Sequence, residues 1–264
     1  MKSPSTRGAV WAGRFYPGDP TQLRADVVRY LRAAKAPEAG LTKAVIAPHA
    51  GYPYSGLIAG SAFHLFEGAP TPIERIVLLG PSHQVPFHGL ALSSATAFET
   101  PLGRAENDPE TAEKLGGLSQ AEVFDEAHDT EHSLEVELPF LQQILGRFKL
   151  VPLVVGEAGD REIAEVIERL WGGPETRFVI SSDLSHYLDY DAARALDQAT
   201  AQAIENLEPE GIHPHQACGR WPIRGFLQAA RDRGLHCRTL DLRNSGDTAG
   251  SRDRVVGYGA FAFY

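Results

Sequence analysis

The stretch Val179-Ile-Ser-Ser-Asp-Leu-Ser-His-Tyr187 decides how the rest of the chain is interpreted. It begins with apolar, β-branched residues, which are typical of a buried strand, and it continues into polar residues that include Asp183 and His186. Polar groups at the end of such a strand lie at the carboxyl edge of a parallel sheet, where open α/β proteins gather their functional groups. The stretch therefore predicts an α/β fold with a functional site at this edge.

A buried strand followed by a histidine occurs at two earlier places in the chain. Residues 44–49 read Ala-Val-Ile-Ala-Pro-His, and residues 76–83 read Ile-Val-Leu-Leu-Gly-Pro-Ser-His. A related pattern in altered form precedes Asp247. Because parallel strands present their carboxyl ends at one edge, these strand ends and the opening stretch predict one shared site that includes His49 and His83.

The composition is that of an ordinary soluble globular protein. Hydrophobic residues make up 43% of the 264 residues and charged residues 22%. Lys and Arg number 25 against 34 Asp and Glu, and this net charge of −9 argues against a nucleic-acid partner, which normally requires a basic face. No apolar run reaches the ~20 residues that span a bilayer, and the chain does not start like a signal peptide. A cytoplasmic location without membrane contact is therefore expected.

The two cysteines, Cys218 and Cys237, lack the spacing of a metal site. Cys218 falls in a helical-looking segment, and Cys237 falls at the start of a predicted strand. We therefore interpret both as reduced packing residues.

Strand and helix patterns alternate along the chain, with glycine and proline between them. Strands are predicted at residues 43–48, 75–80, 89–93, 150–155, 177–182, 236–242 and 254–263, and helices at residues 22–34, 57–65, 108–115, 160–170, 191–206 and 223–233. A further helix is predicted to start near Thr130 and to be kinked or broken by Pro139. Because no internal repeat, low-complexity tract or interdomain linker is found, residues 1–264 are expected to form one α/β domain with a mixed sheet and helices on both faces.

The histidines and carboxylates at the strand ends are the candidate metal ligands. Neutral imidazoles on rigid strands suit a divalent first-row metal, and two histidines with one carboxylate leave coordination positions open for substrate and dioxygen. The carboxylates near this edge are Asp183 and Asp247. Residues 244–250, which contain Asp247, could equally form an ordinary polar turn. Five other histidines are interpreted as ordinary surface or core residues: His64, His88, His213, His215 and His236.

One further histidine stands near two glutamates. His132 and Glu135 are three residues apart and share a face if this segment is helical, whereas Glu137 is rotated away. The first two could form a pair that orients a metal ligand through a hydrogen bond. They could equally belong to a solvated helix start, where the helix dipole favours acidic residues.

Six ordered motifs are distributed over nearly the whole chain. They are Ala-Gly-Arg-Phe-Tyr-Pro at 12–17, His-Ala-Gly-Tyr-Pro-Tyr-Ser-Gly at 49–56, Gly-Pro-Ser-His at 80–83, Glu-His-Ser-Leu-Glu-Val-Glu-Leu-Pro-Phe at 131–140, Ser-Asp-Leu-Ser-His-Tyr at 182–187 and Gly-Tyr-Gly-Ala at 257–260. Together these motifs resemble the Memo family, also called the AmmeMemoRadiSam system protein B family. Their length and order make the resemblance specific.

This resemblance implies a fold like that of the class III extradiol dioxygenases, whose non-haem iron is held by two histidines and a carboxylate. Residue by residue, it implies that His49 and His83 are the two histidine ligands. It also implies that His186 lines the same pocket as an acid/base group, with Asp183 beside it.

The resemblance also implies which residues surround the metal. Phe15 and Tyr54 match aromatic residues at the pocket mouth, and His132 is expected with them as a substrate contact. Animal members of the family are similar in pattern but carry a cysteine before the final strand, where this chain has Asp247 or Thr248. Since a carboxylate is a good ligand for Fe(II) and threonine a poor one, Asp247 is expected to be the third ligand.

Two functions are implied by the resemblance. In the first, the protein is an Fe(II)-dependent, dioxygenase-like oxidoreductase that acts on an aromatic or other small substrate, with zinc or copper as alternative metals. In the second, it is a non-catalytic binding or adaptor protein that uses the same cleft for a peptide or protein partner. AMMECR1-like and radical SAM proteins are the implied protein partners. Metal-dependent hydrolysis by a bound water would use the same ligands.

Overall fold

A computed structural model describes residues 6–34 and 42–264, and one 12-stranded sheet runs through these residues. The long central strands form where β-branched and aliphatic residues run together. The strands are β1 (Thr6–Arg7), β2 (Ala44–Ala47), β3 (Arg75–Pro81), β4 (Leu90–Leu92), β5 (Ala97–Thr100), β6 (Gly103–Asn107), β7 (Ala121–Val123), β8 (Lys149–Val155), β9 (Thr176–Ser181), β10 (His186–Leu188), β11 (Cys237–Asn244) and β12 (Val255–Phe263).

Within the same two ranges, α-helices connect many of the strands. They are α1 (Pro20–Arg32), α2 (Tyr52–Phe63), α3 (Thr111–Lys114), α4 (Glu126–Asp129), α5 (Leu138–Leu145), α6 (Asp160–Leu170), α7 (Tyr190–Glu205) and α8 (Arg220–Asp232). Asp19 caps α1, because its carboxylate accepts the backbone N–H of Gln22 at 2.8 Å. None of the helices in the described ranges has the length and apolar character needed to cross a membrane.

The order of the strands sets the position of the functional edge. The strands follow the order β1-β5-β6-β8-β3-β9-β2-β12-β10, with β11 beside β12 and β4 beside β8. The central strands β8, β3, β9 and β2 are parallel, whereas β12 is antiparallel to β2. β9, which contains the start of the opening stretch, therefore lies between β3 and β2. All three strands end at the same edge of the sheet.

Helices cover both faces of the sheet. Along β9, Phe178 and Ile180 face a core that includes residues of α6, α7 and α8, whereas Val179 faces a second core with residues of α1, α2 and α5. The same alternation occurs along β2, β3, β8 and β12. This arrangement confirms the expected single α/β domain with a mixed sheet and helices on both faces.

The helix expected from about Thr130 starts later than the sequence suggests. A 3₁₀ turn occupies Glu135–Glu137, and the α-helix begins at Leu138. Pro139 therefore lies in the first helical turn, where its missing N–H removes no hydrogen bond, rather than in the interior. His132 therefore lies before the helix, and the shared helix face that was one alternative for His132 and Glu135 is not formed.

Other elements also differ from the sequence prediction, which contains no strand for β1, β7 or β10 and no helix for α4. α2 begins at Tyr52 rather than near residue 57, because Pro53 occupies its first turn. A hairpin of β5 and β6 lies where no strand was predicted. β6 is largely exposed and of mixed polarity, so its sequence lacks the apolar alternation of a strand. The remaining bounds agree with the predicted ones to within a few residues.

Replacing Phe178 by alanine is expected to lower the free energy of unfolding by about 3–5 kcal/mol, because it leaves a cavity in the core. The ring is fully buried and packs on Trp171 and Phe226 at centroid distances of 5.3 and 5.8 Å. Urea unfolding measures the change. Val123→Ala is the control, since Val123 is 55% exposed and should lose less than about 0.5 kcal/mol. Equal stability of the two variants would contradict the core position of Phe178.

Candidate metal centre

Three histidines from separate parts of the chain meet at the carboxyl edge of the sheet. His49 follows β2 and His83 follows β3, on either side of β9, and His132 lies shortly before the 3₁₀ turn that leads into α5. One ring nitrogen of each lies within 4.8 Å of those of the other two, an arrangement that could hold a metal ion. The rings of His83 and His132 stack with their centroids 4.5 Å apart, and His49 stands edge-on to both at 5.2 Å.

The last residue of β9 orients His49. Oγ of Ser181 lies 2.7 Å from Nδ1 of His49, which leaves Nε2 facing the site. Oδ1 of Asp183 accepts the backbone N–H groups of His49 at 2.9 Å and Ala50 at 3.3 Å, and it thereby fixes the turn after β2. Burial, together with the charge on His83, lowers the pKa of His49 well below its ordinary value. The ring is therefore neutral and retains a lone pair for a ligand.

A buried carboxylate orients His83. Oε1 of Glu131 lies 2.8 Å from Nδ1 of His83, and Oε2 accepts the His83 backbone N–H at 2.6 Å. Burial alone would lower the pKa of His83, but hydrogen bonds and charge from Cys218 and Glu131 raise it to about 10. Burial alone would raise the pKa of Glu131, but the contact with His83 lowers it to about 2. The carboxylate thus fixes the ring with Nδ1 away from the site and Nε2 toward it.

Aromatic residues of the N-terminal segment cover His132. Its ring centroid lies 4.6 Å from that of Phe15 and 5.6 Å from that of Trp11. Burial and the charge on His83 lower the pKa of His132 to about 4, so the ring is neutral. Its Nδ1 is buried without a hydrogen bond, since Oε1 of Glu131 lies 3.3 Å away but is poorly aligned. Buried nitrogens without a partner are rare, and a bound ion or ligand is one explanation for them.

Glu135 anchors this aromatic segment and does not orient His132. Its carboxylate pairs with Arg7, and it accepts the backbone N–H of Trp11 at 2.8 Å and the hydroxyl of Tyr16 at 2.5 Å. Glu135 is fully buried. One buried anion therefore ties the start of the described chain to the functional edge.

Cys218 also lies at this site, and the sequence interpretation missed it. Its Sγ is 3.3 Å from Nε2 of His49 and accepts the backbone N–H of Asp183 at 3.3 Å. Cys218 stands in a turn before α8, 169 residues from His49 in the chain, so no spacing motif connects the two. Gly219 allows the turn to approach closely, because a Cβ there would lie 2.6 Å from Cβ of Ser182. The available sequence signal was the Cys-Gly pair directly before a helix.

Asp247, the expected third ligand, is placed elsewhere. Its Oδ1 accepts the hydroxyl of Tyr190 at 2.6 Å, and its Oδ2 accepts the backbone N–H of Asn244 at 3.1 Å. The bond from Asn244 closes the 3₁₀ turn Ser245–Asp247, which is the polar turn of the alternative interpretation, and the bond from Tyr190 joins the turn to α7. Asp247 lines a separate small cavity of about 90 Å³. The structure therefore does not bring this carboxylate to the histidines, because one of its oxygens closes the turn and the other accepts from Tyr190 of α7.

An open cavity of about 760 Å³ adjoins the histidines, and His186 and Cys218 are among the residues that line it. Nδ1 of His186 donates to the carbonyl oxygen of Leu184 at 2.8 Å, so Nε2 keeps its lone pair. His88 and His215, which the sequence interpretation set aside as ordinary residues, also line the cavity. His215 adopts a left-handed backbone with φ of 70°, a conformation that is uncommon for histidine.

The remaining expected site residues lie around this group. Asp183 orients the turn that carries His49, whereas His186 is oriented by a backbone carbonyl. Phe15 packs on His132, and Tyr54 lies in the first turn of α2 with 42% of its surface exposed. Their roles in substrate binding and proton transfer stay predictions.

Comparison with known proteins finds relatives over most of the chain. A family model described as Memo-like protein matches residues 7–262. The chain is 35% identical to a MEMO1 family protein of Methanosarcina barkeri, over 94% of this chain and 96% of that protein. It is 36% identical to a MEMO1 family protein of Aquifex aeolicus, over 94% and 95%. It is 32% identical to the protein memo-1 homolog of Caenorhabditis elegans, over 85% of this chain and 71% of that protein.

Proposed function

The chain belongs to the Memo family, and from this membership and the geometry of its histidines we propose that it is a non-haem metal protein. The proposed metal is iron(II), and the proposed reaction is a dioxygenase-like oxidation of a small aromatic substrate. His49 and His83 would supply one ring nitrogen each. Cys218 and His132 would complete the set of donors.

The main support for this proposal is the hydrogen bonding at Nδ1 of His49 and His83. Ser181 engages Nδ1 of His49, and Glu131 engages Nδ1 of His83, so Nε2 of each ring is the nitrogen directed to the site. His49 is neutral, whereas His83, with a pKa of about 10, must release its Nε2 proton when a metal binds. Histidines that bind metals in proteins almost always have their other nitrogen bound in this way. Imidazole donors suit iron, zinc and copper, and the sulfur of Cys218 adds a softer donor. The donor set therefore fits a first-row transition metal.

The open cavity favours a catalytic metal over a structural one. Structural sites surround their metal with protein ligands, whereas catalytic sites leave a position for water or substrate. The cavity of about 760 Å³ beside His83 and Cys218 is in the size range of small-molecule sites. Phe87 and Trp221 are among its lining residues, and aromatic walls favour a substrate that contains a ring.

His186 is the residue best positioned to move a proton. Bound iron(II) would supply a Lewis acid and redox centre that brings an organic substrate and dioxygen together. Burial lowers the pKa of His186, the hydrogen bond to Leu184 opposes this, and the charge on His83 adds to it. Nε2 is therefore unprotonated near neutral pH. It can accept the proton of a substrate hydroxyl and later return it.

A second function is favoured by the shape of the cleft. A cavity of about 500 Å³ adjoins the first one, since His88, Glu157 and Trp221 line both. We call these two adjoining cavities the trough, and an extended ligand could contact both of them. As the alternative, we propose that the trough binds a peptide or protein partner without turnover, with AMMECR1-like and radical SAM proteins as the partners to test.

Metal binding is expected to require His49 and His83 but not Asp247. Metal-free protein titrated anaerobically with Fe(II) should bind roughly one ion per chain, and competition with zinc and copper would rank the metals. The double variant His49→Ala, His83→Ala should lose this binding. Asp247→Asn should bind as the wild type does, because its carboxylate serves a distant turn. Stoichiometric binding by the double variant, or loss of binding in Asp247→Asn, would contradict the proposed site.

Turnover is expected to depend on His186. Iron-loaded protein offered catechols under oxygen should give ring-cleavage products, and His186→Gln should keep its iron but react about 10²–10⁴-fold more slowly. Tyr187→Phe is the control, since the Tyr187 side chain is 63% exposed next to His186. If no catechol is cleaved while a peptide or protein partner still binds, the second function is the correct one.

A further inference from the structure

The hydroxyl of Ser181 has three hydrogen-bonding neighbours but only one proton. Its Oγ lies 2.7 Å from Nδ1 of His49, 2.6 Å from the carbonyl oxygen of Ser133 and 2.8 Å from Oε1 of Glu137. All four residues are buried. A serine hydroxyl donates one hydrogen bond and accepts two. The three neighbours must therefore divide into one acceptor and two donors.

Only one assignment of donors and acceptors satisfies every group. The carbonyl of Ser133 has no hydrogen, so it must receive the proton of Ser181. His49 must then donate through Nδ1–H, and Glu137 must donate through the O–H of a neutral carboxylic acid. An ionised Glu137 would leave two acceptors competing for one proton, at 2.6 and 2.8 Å, in the interior of the protein.

The surroundings of Glu137 favour the neutral form. No positive side chain pairs with it in the described ranges, and its Oε2 is buried without a hydrogen bond. The titratable groups that face it are Asp183 after β9, Tyr52 of α2 and, beyond Ser181, His49. Burial raises the pKa of Glu137 well above its usual value, and the charge on Asp183 adds to this shift. Only a hydrogen bond donated by Ser181 to the ionised carboxylate would oppose it.

We propose that Glu137 is a neutral carboxylic acid that positions His49 through Ser181. Its O–H occupies one acceptor site of the hydroxyl, so the proton of Ser181 is directed to the Ser133 carbonyl and away from Nδ1 of His49. His49 therefore keeps its proton on Nδ1 and its lone pair on Nε2, the nitrogen that lies 3.3 Å from Cys218. Glu137 is thus a positioning residue, and its effect on metal affinity rests on the proposed function.

The protonation state is tested in metal-free protein with Glu137→Gln, whose amide N–H replaces the carboxylic O–H. At a pH above the ordinary glutamate pKa of about 4.3, the infrared difference between wild type and variant should contain the C=O stretch of a protonated carboxylic acid, shifted in D₂O. Above that pH, the unfolding constant of the wild type, divided by that of the variant, should rise by up to about tenfold per pH unit until Glu137 also ionises in the folded protein. The reason is that the glutamate ionises in the unfolded chain and not in the folded one. A missing acid band or a flat ratio would overturn the proposal.

Glu135→Gln is the matched control, because Glu135 is equally buried but pairs with Arg7. Its difference spectrum should contain no acid band, and the variant should be strongly destabilised because Arg7 loses its partner. If this variant does not fold, the comparison of wild type with Glu137→Gln still decides the protonation state.

The positioning role is tested by the tautomer of His49 and by metal affinity. Nitrogen NMR should find Nδ1 protonated in the wild type and in Glu137→Gln. In Glu137→Leu only the Ser133 carbonyl still orients the Ser181 hydroxyl, so a detectable share of the other tautomer should appear. Affinity for Fe(II) should stay within about threefold in Glu137→Gln and fall about 10–100-fold in Glu137→Leu. An unchanged tautomer in Glu137→Leu would overturn the positioning role. A wild type that binds no Fe(II) would refute the proposed function alone, because the spectra, the stability ratio and the tautomer are measured without metal.

Discussion

The site depends on two hydrogen bonds, one at Nδ1 of His49 and one at Nδ1 of His83. An imidazole at the end of a strand can present either nitrogen until the other one is bound. The hydroxyl of Ser181 and the carboxylate of Glu131 bind the two Nδ1 atoms, and both groups are buried. Because water cannot compete at these positions, each ring has one orientation. The orientation of His49 and His83 is therefore set by groups that would not touch a metal or a substrate.

One short segment supplies much of this support. Within seven residues, three buried glutamates have three different partners: Glu131 binds His83, Glu135 ties down the N-terminal aromatic residues, and Glu137 reaches Ser181 at the end of β9. In a regular helix, residues at this spacing would be arranged along a fixed spiral. The turn and the 3₁₀ geometry that precede α5 instead send the three side chains to separate targets. The irregular backbone therefore allows each of the three glutamates to reach a different partner.

The sequence predicts the site residues at strand ends better than those in turns. His49, His83 and Asp183 could be found because each stands at the end of a buried strand, and apolar runs are a local signal. The sequence could not show that Cys218 belongs to the site and Asp247 does not. Cys218 contacts His49 across 169 residues, and such a contact depends on how a distant turn packs. The spacing of His132 and Glu135 suits a helix and a turn equally well, and Pro139 was the local sign that the helix starts later. Fold class was therefore predictable, whereas the choice of the donor beside the histidines was not.

X-ray absorption at the iron edge of the Fe(II)-loaded protein, compared with Cys218→Ser, tests the central claim most directly. The proposed site predicts imidazole scattering from His49 and His83, and a sulfur scatterer that disappears in Cys218→Ser. A spectrum of oxygen ligands without imidazole, or one that is unchanged in Cys218→Ser, would contradict this arrangement of donors.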